Sequence, residues 1–188
     1  MDREQFWAMI QAARAATGGD CRALTAQLVA ALTKRSVDDV LAWDRIHGDL
    51  MAQSYRWDLW GAAYLINGGC SDDGFDYFRG WLLGQGQAIW QAALAEPDSL
   101  ADHPEVRVHR PYQDPYVYLE CEDILGVAYH AYEALTGQEL TVEVAGVRSW
   151  PPAELGEDWD FDDAAEMRRR YPRLWALCGW EEASSPPP

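Results

Sequence analysis

Between Met1 and Leu50, apolar side chains recur at three- and four-residue intervals in three runs, each preceded by a residue suited to capping a helix. Asp2 with Gln5 forms a capping-box pattern ahead of Phe6, Trp7, Ile10 and Ala13, and Thr17-Gly18-Gly19 closes that run. Asp20 precedes Leu24, Leu28, Ala31 and Leu32, and Ser36 with Asp39 precedes Val40, Trp43, His47 and Leu50. The pattern predicts three helices. His47 lies one turn after Asp44 on the flank of the third stripe, where a hydrogen-bonded structural role is the expected one.

The stretch from Trp57 to Gly86 is denser. Leu59, Ala62, Ala63 and Ile66, flanked by Trp60 and Tyr64, predict a helix that is apolar around most of its circumference and therefore buried. Asn67-Gly68-Gly69 supplies residues that tolerate positive φ and ends it. Ser71 then caps a second helix, with Asp72 and Asp73 at the positive end of its dipole and Phe75, Tyr77, Phe78, Trp81 and Leu82 on its apolar face. Asp76 and Arg79 are expected to pair on the surface, where such a pair contributes little. Gly80 and Gly84 each weaken a helix, so both mark places where another backbone is expected to cross closely. The G-x-G at Gly84 and Gly86 follows a helix and lacks a third glycine, so it reads as a helix break and not as a dinucleotide loop.

Gln87 to Ala95 continues helical. Asp98 to Tyr118 has little periodicity and reads as an ordered loop whose Tyr112, Tyr116 and Tyr118 either pack it onto helices or form a lid. Glu120 or Glu122 opens a further helix through Ile124, Leu125, Ala128, Tyr129 and Tyr132, closed by Thr136-Gly137. Leu140 to Val144 alternates and is read as one short strand or an extended segment. A second loop runs from Trp150 through the acids up to Asp163, and a closing helix is broken near Pro172. These elements predict an all-α, mainly helical single domain over residues 1–180, with at most one short β element, and a disordered tail over 181–188.

The run W-D-L-W-G-A-A-Y-L-I-N-G-G-C-S-D-D-G-F-D-Y-F-R-G-W-L, from Trp57 to Leu82, resembles the signature of the domain of unknown function family DUF4240. The likeness extends from the opening M-D-R-E-Q-F-W through E-P-D-S-L-A at Glu96 to Ala101 and on to A-Y-E-A-L-T-G at Ala131 to Gly137. It implies a small, largely helical bacterial domain and transfers no catalytic residue.

Charge narrows the partners. Fifteen Lys and Arg against 31 Asp and Glu leave −16, which repels phosphate backbones and anionic lipid, so neither nucleic acid nor a membrane is an expected partner. No apolar run reaches the length of a membrane span, and the charged opening Met1-Asp2-Arg3-Glu4 does not fit a secretory leader. Cys21, Cys70, Cys121 and Cys178 are scattered without a C-x-x-C pair, which predicts reduced structural thiols, a cytoplasmic location, and no metal or other cofactor.

Candidate chemistry is sparse. After Gly68-Gly69, Asp72 and Asp73 either serve the helix terminus or hold a cation, hydroxyl or amine in a cleft floored by Trp57, Trp60 and Trp81, with Asp73 the ligand-facing acid. Asp123 and His130 stand two turns apart on a later helix and are the other candidate pair. Two function classes follow. One is a non-catalytic binding or regulatory module for a small molecule or a basic protein, suggested by ten tryptophans and nine tyrosines on an acidic chain. The other is a hydrolase or metal-dependent enzyme built from Asp72, Asp73, Asp123 and His130. An exposed aromatic patch would favour the first.

Overall fold

A computed structural model describes residues 1–109, 117–146 and 155–180. Tyr112, Tyr116, the Trp150 to Glu154 part of the second loop and the tail from Glu181 to Pro188 lie outside these residues. The fold is all-α, and among the described residues there is no strand. No helix there is long and apolar enough to cross a membrane.

The helices start where side chains satisfy free backbone N–H groups. In α1 (Arg3–Thr17) Asp2 and Gln5 form the reciprocal capping box, and Gly18 closes the helix at φ 66°. Asp20 caps α2 (Cys21–Leu32), and Ser36 caps α3 (Val37–Ser54). Next comes α4 (Trp57–Asn67), ended by left-handed Gly68, and Ser71 caps α5 (Asp72–Gly84). The link to α6 (Gln87–Ala95) turns on Gly86 at φ 94°.

Three expectations change beyond this point. The stretch after Ala95 is helical in pieces: a 3₁₀ segment (Pro97–Asp102) and α7 (Pro104–Val108) each begin with proline, whose missing N–H is harmless at a first helical position. The helix expected from Glu120 or Glu122 begins as a 3₁₀ turn (Asp123–Gly126) and becomes α8 only over Val127–Thr136, closed by Gly137 as its sequence suggests. Leu140 to Val144 forms no strand. It contains α9 (Val142–Ala145), one helical turn with Val142 63% exposed, because no neighbouring strand offers its valines a ladder. The chain then closes with α10 (Ala164–Arg170) and α11 (Pro172–Cys178), broken at Tyr171 before Pro172 as expected.

Packing around α5 organises the core. A Cβ on Gly80 would run into the Cys121 carbonyl and lie 2.9 Å from Ile124 Cγ2, and the Cys121 N–H donates to the Tyr77 carbonyl at 2.9 Å. Another backbone does cross there. At Gly84 the nearest atoms are side-chain carbons of Leu24 and Ile124 at 3.8–4.0 Å, so this second glycine marks no close crossing. The same crossing corrects the cysteine reading: Cys121 is carried to the start of α2 and bonded to Cys21, with Cα atoms 5.5 Å apart. Cys70 and Cys178 stay free. The pairing removes the argument from reduced thiols to a reducing compartment.

The C-terminal helices are cemented by the aromatic surplus. Trp57 stacks on Phe161 at 4.7 Å, and its indole N–H donates to the Trp159 carbonyl at 3.1 Å. The Tyr171 hydroxyl donates to the Asp58 carbonyl at 2.6 Å, and a Cβ on Gly61 would lie 2.5 Å from that hydroxyl. Asp98, itself buried, accepts the Arg173 and Leu174 N–H groups at 3.1 and 2.9 Å and so caps α11 from a distance.

Candidate functional site

The acids at the amino end of α5 are held by neighbours. Ser71 Oγ accepts the Gly74 N–H at 3.1 Å, and the Tyr55 hydroxyl donates to Asp72 Oδ1 at 2.7 Å. Burial first, and then Asp72, push the Tyr55 phenol up to about 12. Asp73 is exposed on the first turn. Behind it Trp60 stacks on Phe75 at 4.9 Å and donates its indole N–H to the Cys70 carbonyl at 3.0 Å. Glu120 approaches Gly74, and burial, with Glu122 nearby, raises its carboxyl. The Cys70 thiol is pushed up to about 12, mainly by burial and then by Glu120, so it is a poor nucleophile.

Arg79 is not a surface residue. Its side chain is 1% exposed, with the guanidinium carbon 4.8 Å over both the Tyr55 and Phe75 rings. It donates to Asp76 and to the Met51 carbonyl, while burial lowers its pKa and Asp76 opposes that shift. The expected surface pair is a buried tie between α3 and α5, because Tyr55 at the end of α3 lids the guanidinium.

The other predicted site residues are dispersed. Trp57 and Trp60 lie 5.5 Å apart in the aromatic seam. Trp81 is buried elsewhere, against Phe78 and the edge of His103, and donates its indole N–H to Glu105 Oε2 at 2.9 Å. Asp123 and His130 are both exposed, and the His130 imidazole lies against Gly126 and the Tyr129 ring. Among the described residues no group of three or more His, Cys, Asp and Glu is placed to hold a metal ion. The half-buried tryptophans pack on one another, and the large apolar side chains that are exposed are mainly valines, with Tyr118 and Tyr129.

At the opposite end of α5 lies a polar pocket of about 680 Å³. Glu4, Trp7, Gln11 and Arg14 recur at helical spacing along one face of α1, Gln87 and Gln91 rise from α6, and Gln85 with Gly86 forms the connection between α5 and α6. Trp7 and Trp90, 6.0 Å apart, join α1 to α6 beneath it. Gln85 is only 7% exposed: its Nε2 donates to the Trp81 carbonyl at 3.3 Å, and its Oε1 has no hydrogen-bond partner. The same holds for buried Arg14 Nη1, while Arg14 Nη2 stands 4.0 Å from Glu105 Oε1. Behind the pocket, burial holds the His103 imidazole below its usual range; Glu105 opposes this and Arg14 adds to it.

The sequence pattern does not point to this pocket. Its one signal is the glutamine recurrence at 85, 87 and 91 beside the G-x-G, which reads only as a helix break until α1 is placed opposite.

A family model described as protein of unknown function (DUF4240) matches residues 1–134, more than two thirds of the chain. The chain belongs to the DUF4240 family. That match spans α1 to α7 and most of α8, and so includes both ends of α5 and all of the pocket lining. No curated protein and no solved structure matches the chain.

Proposed function

We propose that this DUF4240 chain is a non-catalytic module that binds a small polar ligand in the pocket between α1 and α6. The observation that carries the reading is that two residues lining one open pocket, Gln85 and Arg14, each keep a buried polar atom, Oε1 and Nη1, without a hydrogen-bond partner beneath its wall. Leaving such groups unsatisfied is costly, so turning either side chain toward the pocket, where a bound partner completes it, is favoured on binding. The lining supports binding in preference to catalysis, since it holds carboxamides, one guanidinium and the exposed Glu4 carboxylate, but no cysteine, serine or histidine. The aromatic surplus is absorbed by the seam that fastens the C-terminal helices, which weakens the case for a protein partner recognised through an aromatic patch.

A thermal-shift screen of metabolites on the native chain and on Arg14→Gln tests this. A ligand at a hundred times its Kd raises stability by about 2.7 kcal/mol, and that gain is expected to shrink or vanish in the variant. Hits that stabilise both proteins equally would place the ligand elsewhere.

A further inference from the structure

Leu119 to Glu122 form a strap over the amino half of α5. The Leu119 N–H donates to Asn67 Oδ1 at 3.0 Å and the Cys121 N–H to the Tyr77 carbonyl at 2.9 Å, so the strap runs from the end of α4 to the crossing at Gly80. Between these ties Glu120 leans on Gly74. Its Oε1 lies 3.3 Å, and Cys70 Sγ 3.7 Å, from the position that a Cβ on Gly74 would take, so the acid and a half-buried free thiol share one niche.

The strap is loaded against itself. Glu120 is half-buried, burial raises its carboxyl and Glu122 adds to this, and among the described residues no hydrogen bond or ion pair is made to it. Lifting the strap returns that charge to water. Closure is held by the buried Leu119 side chain, by two hydrogen bonds of modest net strength, and by the bond from Cys121 to Cys21, which ties positions 100 residues apart. Ile124, fully buried, anchors the chain just beyond, so a release at Cys121 ends there.

The covalent tie is open to exchange from one side. Cys21 is half-buried at the first position of α2, whereas Cys121 is 4% exposed, so an external thiolate meets the Cys21 sulfur. A dithiol reductant attacks Cys21 Sγ, the S–S bond breaks, and Cys121 leaves as a thiolate that takes up a proton. The second thiol of the reductant then attacks the mixed disulfide, releases Cys21 and closes its own disulfide. The protein gains two electrons and two protons, and the reductant loses them. The freed Cys21 thiolate stands at the positive end of a helix, which favours the reduced state, while Asp20 beside it opposes part of that gain.

We propose that the Cys21–Cys121 bond is a redox clasp: exchange with a dithiol opens it within the folded chain, the strap lifts as far as Ile124, and the Cys70 thiol is uncovered. The device does not depend on the ligand reading of the pocket at the other end of α5.

The test holds the native chain in dithiothreitol buffers of graded reduced-to-oxidised ratio, labels thiols with N-ethylmaleimide and locates the label by peptide mass. Cys178, 2% exposed on α11, reports unfolding of the whole chain. The expected result is that Cys21 and Cys121 become labelled as the buffer turns reducing, that labelling of Cys70 speeds up with them by about tenfold or more, and that Cys178 stays protected while circular dichroism stays helical. Glu120→Gln keeps the shape and removes the charge, so the same reduction is expected to speed Cys70 less. A bond that resists excess reduced dithiothreitol until the chain unfolds, or labelling of Cys178 in step with Cys70, would make it a structural staple and overturn the proposal. So would a Cys70 rate that reduction leaves unchanged, or that rises equally in Glu120→Gln.

Discussion

The two ends of α5 treat their polar groups in opposite ways. At the amino end Asp72 accepts from Tyr55, Ser71 caps the helix, and Arg79 is closed between two rings with Asp76 and Met51 as partners. Its Nε lacks a hydrogen bond but is sealed in the core. At the carboxyl end Gln85 and Arg14, each with one buried atom that lacks a hydrogen-bond partner, line an open pocket. A residue-rich, acid-paired stretch is thus a structural joint, and a run of plain glutamines is the better candidate for recognition. Density of chemical signal in a sequence locates where packing is demanding, whereas an unmet hydrogen bond beside solvent locates where a ligand is useful.

The joint can be broken at its fastening. Replacing Cys21 and Cys121 with serine frees the segment that crosses α5, and a loss of about 2–4 kcal/mol in denaturant unfolding is expected. Unchanged stability would show that the crossing does not depend on the bridge. Gly80→Leu pushes directly on the Cys121 carbonyl and is expected to cost about 2–3 kcal/mol, while Gly84→Ala, whose methyl meets Leu24 and Ile124 at ordinary van der Waals contact, gains up to about 1 kcal/mol. Equal effects of the two would erase the distinction along the helix.

The carboxyl end should carry a pH response that the amino end does not share. Burial depresses the His103 imidazole from 6.5, so the unfolded chain takes up its proton first on acidification. Stability is therefore full above pH 6.5 and falls as pH drops towards the lowered folded value, by at most about 1.4 kcal/mol per pH unit. His103→Gln flattens that fall in a series of unfolding curves; an unchanged slope would assign it to other groups. The smallest effect is expected from Asp73→Asn, about 0.5 kcal/mol or less, since this exposed acid stands in the first turn, where it favours the start of the helix. Loss of the ligand response in that variant would return the site to the amino end.

What was legible in the sequence was local. Asp2, Asp20, Ser36 and Ser71 announce their helices because a cap and the N–H it satisfies lie within three residues. Gly80 was legible because a glycine inside a helix needs a reason. Arg79 was not, since its burial depends on Tyr55 arriving from α3, and the Cys21–Cys121 bond joins residues a hundred positions apart. The short helix at Val142 was misread for a related reason: valine is β-prone only when another strand is beside it. The pocket escaped because α1 and α6 each show an ordinary polar face, and only the packed fold buries Gln85 Oε1 and Arg14 Nη1 without partners.

The most direct test of the central claim is the stability of Gln85→Met in the absence of ligand, measured together with its response to the hits of the native chain. If Gln85 is kept for recognition, replacing it at constant volume removes the unpartnered oxygen together with the Nε2 bond to the Trp81 carbonyl, leaves stability within about 1 kcal/mol of the native chain, and abolishes the ligand-induced shift. A variant that unfolds well below the native chain yet retains the full ligand shift would show that Gln85 serves the fold, and would contradict the account.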